Sequence, residues 1–297
     1  MAASDDRKES ASTSEISRRD LMGLTIAAGI ASTVSPASAE DVAVTETNVE
    51  IKTLDGVCDA AFIYPTKGSH PGVLIWTDAF GLRPAMRDIG KRIAAEGYAV
   101  LVPNPYYRAG KPGAIDLDTK NFSFQNQTDM TRLRGYMAGL NVPGAAEKDA
   151  AAFIAFLDAQ KQVNKKRKIG TQGYCMGGPL VFKTCAAVPD RVGAGASFHG
   201  GGLVTDQPNS PHLLVSKMKA KLYVGIASND DERQPDAKDK LKAAFEAAKV
   251  TAGIEVYKGL HGWCVPDMPA REGAPIYNKP EAERAWTKLV ALYKSAL

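Results

Sequence analysis

Gly173-Tyr174-Cys175-Met176-Gly177-Gly178 follows the short apolar run Lys168-Ile169-Gly170-Thr171 and leads into a helical pattern that begins at Pro179. A strand that turns this sharply into a helix needs glycine on both sides, because the residue at the apex is held in a strained backbone conformation. The pattern is that of a nucleophile elbow, with a thiol where such elbows usually carry serine. Cys175 is expected to stand exposed at a helix N-terminus, where unpaired backbone N–H groups and the helix dipole favour the thiolate. The alternative is a tight turn around a buried cysteine. Residues farther along the chain decide between the two.

Residues 220–227 read as a short strand and run into Ser228-Asn229-Asp230-Asp231-Glu232-Arg233-Gln234-Pro235, a polar turn with two adjacent aspartates. Residues 253–257 form the next strand, followed by Lys258-Gly259-Leu260-His261-Gly262-Trp263. Nucleophile, acid and histidine thus occur in the chain order that strand-turn-helix hydrolases use. His261 is the candidate base.

Working toward the N-terminus, residues 42–52 and 57–64 alternate enough to pair as an antiparallel opening around Asp55-Gly56. A buried strand at 73–76, a helix from Pro84 with Met86, Ile89 and Ile93 on one face, and a strand at 98–102 make a β-α-β unit. A helix over 145–160, a strand over 192–198 and helices over 236–249 and 279–296 complete the pattern. The expected architecture is α/β: a doubly wound, mostly parallel sheet with helices on both faces. Residues 103–143 are polar and rich in Gly, Asn and Asp, and at that length they are expected to form an insertion or lid over the site. Tyr106, Tyr107 and Phe122 within it either touch substrate or pack the insertion onto the sheet. No internal repeat is evident.

With Cys175, the acidic turn and His261 in this order, the chain resembles the dienelactone hydrolase (carboxymethylenebutenolidase) family of the α/β-hydrolase superfamily. The resemblance runs from about Val49 to Leu297. It is carried by the Cys175 elbow, the Asp-x-x-x-Pro of Asp231 to Pro235, Leu260-His261-Gly262-Trp263, and the early segment Ile75-Trp76-Thr77-Asp78-Ala79-Phe80-Gly81-Leu82. It implies a Cys175, Asp231, His261 triad that hydrolyses a small ester or lactone through an acyl-cysteine intermediate. The Asp-to-Pro spacing selects Asp231 over Asp230. Oxyanion donors are expected at the backbone N–H groups of Met176, one residue past the nucleophile, and Ala79, just past a strand end. Phe80, Tyr106, Tyr174, His199 and Trp263 are candidate pocket residues; for His199 an ordinary loop position is the alternative. The family typically has a glutamate at the position of Asp78, where it takes the cysteine's proton. Asp78, one methylene shorter, either activates Cys175 or caps a turn. Family members also hold a substrate carboxylate with arginines, one just after the histidine, whereas this chain continues Cys264-Val265-Pro266. Arg83, Arg108, Arg132 and Arg134 are the possible substitutes.

At the N-terminus, Ser17-Arg18-Arg19-Asp20-Leu21-Met22 is a twin-arginine pattern, followed by an apolar, small-residue stretch over 21–34 and the small-x-small site Ala37-Ser38-Ala39. Residues 1–39 are read as a Tat export signal, with the Tat machinery as partner and a periplasmic or extracellular destination. Residues 40–297 are read as one domain, without a stable membrane span in the mature chain. Four cysteines are too few for a disulfide scaffold in a chain of 297 residues. His261 and Cys264 look like half of a metal site, yet no second pair at ligand spacing follows, so no metal or other cofactor is expected. With 37 basic and 33 acidic side chains the charge is nearly balanced and points to no nucleic-acid partner. Two function classes remain: a hydrolase of small esters or lactones, and a catalytically idle α/β-hydrolase fold that binds a ligand in the cell envelope. A pure binder has no need of nucleophile, acid and base together.

Overall fold

The apolar runs of the sequence become eight strands of a single sheet in a computed structural model that describes residues 42–110, 117–271 and 273–297. The twin-arginine segment and its cleavage site lie outside the described residues. β1 (Val44–Thr53) and β2 (Gly56–Pro65) pair antiparallel, with Thr53 opposite Gly56 across a two-residue turn. β3 (Gly72–Trp76), β4 (Ala99–Pro103), β5 (Ile169–Tyr174), β6 (Val192–Phe198), β7 (Lys221–Ala227) and β8 (Ala252–Tyr257) are parallel to one another. The strand order is β1-β2-β4-β3-β5-β6-β7-β8, with β2 antiparallel to β4. This is the doubly wound, mostly parallel sheet expected from the sequence.

Every residue of β3, β4 and β5 is buried, which fits parallel strands covered on both faces and explains why they read as continuous apolar runs. Successive side chains alternate between two cores. Leu74 and Trp76 join Phe153 and Leu157 of α3 (Ala145–Ala159), Val181 and Phe182 of α4 (Gly177–Ala187), and Leu241 and Phe245 of α6 (Ala237–Ala247). Val73 and Ile75 join Met86 and Ile93 of α1 (Pro84–Ala95) with Leu289 and Tyr293 of α7 (Lys279–Ala296). Each such side chain contributes about 1.5–3 kcal/mol by leaving water. Those cores fix the sheet on which all the strand-end residues stand.

Two segments differ from the sequence expectation. The 103–143 region contains α2 (Gln127–Met137), whose N-cap Asn126 accepts hydrogen bonds from the Thr128 and Asp129 amides. Met130, Leu133 and Met137 recur along one face of it, but only Leu133 is buried, so the stripe is too short and too weak to stand out among its polar neighbours. The polar stretch after β7 is not a turn but the short helix α5 (Ser228–Arg233). Among the described residues, no helix is long and apolar enough to cross a membrane.

Candidate active site

The carboxyl ends of β3, β5, β6, β7 and β8 lie along one edge of the sheet, where open α/β folds bind ligands. Cys175 follows β5 directly and has φ 51°, the left-handed strain expected of an elbow. The glycines are there because the turn has no room for side chains. A Cβ on Gly173 would sit 2.2 Å from the Gly177 carbonyl oxygen, and one on Gly177 would sit 2.5 Å from that of Trp76. The Cys175 N–H is shared between the Phe198 carbonyl and Nδ1 of His199, both at 3.1 Å.

His261 stands in the loop after β8. Its backbone N–H donates to Asn229 Oδ1 at 2.8 Å, and its Nδ1 pairs with Asp230 Oδ2 at 2.5 Å. Cys175 is the ring's other electrostatic partner. Burial alone would push the His261 pKa down, but the interactions with Asp230 and Cys175 outweigh it and raise the value to about 10. The acid at His261 is therefore Asp230 and not Asp231, the residue that the Asp-to-Pro spacing selected. Adjacent residues on a helix point about 100° apart, so only one of two neighbouring aspartates in α5 can face the imidazole. Asp231 turns away and pairs with Lys238 Nζ at 2.7 and 2.9 Å, tying α5 to α6.

Asp78, at the end of β3, is fully buried and both its oxygens are taken. Arg83 grips it through Nη1 at 2.6 Å and Nη2 at 2.9 Å, and the Phe80 N–H donates to Oδ1 at 2.9 Å. The same guanidinium binds Asp267 at 2.7 and 2.8 Å. Burial disfavours the charge of Arg83, yet Asp78 and Asp267 together raise its pKa. Arg83 is thus occupied. Arg108 likewise pairs with Asp55 and Asp149, and Arg132 with Asp129. Arg134 is an exposed residue of α2.

Among the described residues, the backbone N–H groups of Ala79 and Met176 have no acceptor. Tyr106, buried from solvent, donates its hydroxyl to the Ala79 carbonyl at 2.7 Å and touches Met176 Sδ at 3.3 Å. It braces the Ala79 peptide and the Met176 side chain.

Two cavities flank the Cys175–His261 pair. One, of about 460 Å³, is lined by Cys175, Met176 and Ala79, by Met137 and Leu140 from the end of α2 and the turn after it, and by α4 as far as Lys183. The other, of about 680 Å³, is lined by His261, Asn229, Phe122, Phe124, Ile276 and two arginines, Arg233 and Arg271. Part of the 103–143 region, including Met137, Leu140 and Phe122, therefore does lie against the site.

None of the five aromatic and histidine pocket candidates lines either cavity. Phe80 packs edge-on against Phe122 at 5.0 Å. Tyr174 stacks on Phe198, and Trp263 stacks on Tyr257 and meets His199 at 5.0 Å. Strand-end aromatics have apolar bodies that the two cores claim before any ligand does. His199 is completely buried, has φ 41°, and lies 5.1 Å from the His261 ring. Burial and the neighbouring imidazole hold its pKa well below the usual histidine value, leaving it a neutral acceptor for the Cys175 amide. Cys264 lines a third cavity, of about 450 Å³, and of the pocket candidates Tyr174 lines it too. Asn229, Phe124 and Lys183 were not singled out from sequence, and Asp230 was set aside there in favour of Asp231. The signal for Asp230 was its position on a helix rather than a motif spacing.

The sequence profile of the dienelactone hydrolase family matches residues 58–297. A protein of Methylorubrum extorquens inferred to be a carboxymethylenebutenolidase is 28% identical, with 96% of this chain and 94% of that protein covered. One from Synechocystis with the same inferred activity is 26% identical over 77% of this chain and 88% of its own length. The crystal structure of an inferred dienelactone hydrolase from Klebsiella pneumoniae superposes with a TM-score of 0.68 over 85% of this chain and 99% of that chain, at 20% identity, which shows a shared fold.

Proposed function

This chain belongs to the dienelactone hydrolase family and is a hydrolase with the α/β-hydrolase fold, and from that premise we propose that it cleaves small esters or lactones through an acyl-cysteine on Cys175. The observation that carries the reading is the pairing of His261 with the Asp230 carboxylate, with the strained elbow residue Cys175 as its second electrostatic partner. Asp230 orients the ring through Nδ1–H and stabilises the imidazolium, whose Nε2 holds the proton that the thiol gives up. The sulfur then attacks the carbonyl carbon, and the oxyanion is received by the free N–H groups of Ala79 and Met176. Collapse breaks the carbon–oxygen bond, His261 returns the proton to the leaving alcohol oxygen, and a thioester remains. A water that gives its proton to His261 attacks the thioester, and the acid leaves as Cys175 regains its hydrogen. Because both Asp78 oxygens are bound by Arg83 and Phe80, the proton acceptor in this scheme is His261 and not Asp78.

Cys175→Ala is expected to abolish turnover across a panel of activated esters and lactones while leaving the fold intact. Intact mass measured seconds after substrate addition is expected to show an acyl adduct in the wild type and none in the variant. Unchanged turnover by the variant would sink the assignment. The twin-arginine segment supports a place of work outside the cytoplasm, which fractionation of expressing cells would test.

A further inference from the structure

On the nucleophile's side of the site, the cavity wall is a stripe of one helix. Met176, Pro179, Leu180 and Lys183 recur at the three- and four-residue spacing that places side chains on a single helical face. From Met176 to Lys183 that face runs about 10 Å, at a rise of about 1.5 Å per residue. Its first part is apolar, and Met137 and Leu140 face it from the other wall. Its far end is cationic. Lys183 is half-buried and, among the described residues, has no carboxylate partner, although most basic side chains bordering the sheet edge are paired. The amides of Asn141, Gln207 and Asn209 line the same cavity.

Resting on the hydrolase reading above, we propose that Lys183 selects substrates with an extended, mostly apolar arm that ends in an anionic group. The reacting carbonyl sits at Cys175, the arm lies along the α4 stripe, and its terminal carboxylate or phosphate meets the ammonium of Lys183. A compact lactone seated at the sulfur would not reach this residue. The apolar stripe between sulfur and ammonium also disfavours a substrate that is polar along its whole length, since its groups would lose water without gaining partners. The amides at the far end supply hydrogen bonds to the oxygens that the ammonium leaves free.

The test compares p-nitrophenyl monoesters of succinate, adipate and suberate, and the matching ω-phosphonoacyl esters, with uncharged acyl esters of equal length. A second set carries the ω-anion on the alcohol arm. In the wild type, kcat/KM is expected to rise with chain length in an anionic series relative to the uncharged one. Lys183→Met is expected to remove about tenfold of that advantage, mainly through KM, while leaving uncharged esters unchanged. Lys183→Arg should restore it. Carboxylate and phosphonate arms separate the two anion classes. Equal losses on charged and uncharged esters, or none on either, would overturn the proposal while leaving the hydrolase reading standing. Absence of turnover of every ester by the wild type would instead overturn that reading. Recognition is then decided by calorimetric binding of suberate, which should weaken about tenfold in Lys183→Met. Unchanged binding would overturn it.

Discussion

Two charged clusters stand side by side on the same sheet edge, and they do opposite work. At the ends of β7 and β8, Asp230 holds His261, whose second electrostatic partner is Cys175; at the end of β3, Asp78 is held by Arg83, which also holds Asp267. Both clusters are short, charge-assisted and largely out of water. The difference lies in the central residue. An imidazole can accept and release a proton at working pH, whereas a guanidinium has five donors and no acceptor and stays charged. The first cluster can therefore cycle through the steps of acyl transfer. The second can only fix geometry, holding the segment that carries Ala79 against the thiol.

The sharpest way to break this contrast is at the two neighbouring aspartates. Asp230→Asn keeps the shape but loses the charge that orients and stabilises the imidazole, and kcat is expected to fall about 10²–10⁴-fold. Asp231→Asn loses only the pair with Lys238, which is partly exposed, and should change kcat less than about twofold. Steady-state kinetics on one activated ester decides it, and the reverse ranking would restore the acid chosen by motif spacing.

Next in size is the cluster that does no chemistry. Arg83→Met leaves the fully buried Asp78 carboxylate without its bidentate partner, and unfolding free energy is expected to drop by about 3–5 kcal/mol. Asp78→Asn in the same chain removes the orphaned charge and should recover part of the loss in urea denaturation. If instead Arg83→Met left stability intact but removed activity, the second cluster would belong to the catalytic machinery.

Such clusters mark the limit of what sequence can carry. The strands and most helices were legible because burial imposes periodicity: β3 to β5 as continuous apolar runs, α1 through Met86, Ile89 and Ile93. The elbow was legible because its glycines answer a steric need within six residues. The choice between Asp230 and Asp231 depended on α5, six polar residues with no buried position, so no apolar pattern announced a helix. The pairing of Arg83 with Asp267 spans 184 positions, and no local signal reports it. Aromatics near the site, such as Trp263 and Phe198's neighbour Tyr223, have types that suit ligands, and Trp263 was expected at the pocket. They suit a core equally, and the core took them.

The remaining test separates the clusters by pH. His261 carries a folded-state pKa of about 10 against the unperturbed 6.5, so the folded protein holds this proton more tightly than the unfolded chain does. The resulting stabilisation is fully present below pH about 6.5 and is lost as pH rises from there through about 10. A His261→Gln variant lacks the titration. The Tm difference between wild type and this variant is therefore expected to be constant on the acid side of that window and to shrink steadily across it. The Tm difference between wild type and Arg83→Met should show no such decline, because the guanidinium keeps its charge throughout. A His261 gap that stays flat to pH 10 would mean that the imidazole is not held as a cation by Asp230 and Cys175. In that case the two clusters would differ in position only, and the proton accounting at Cys175 would have to begin from a neutral pair.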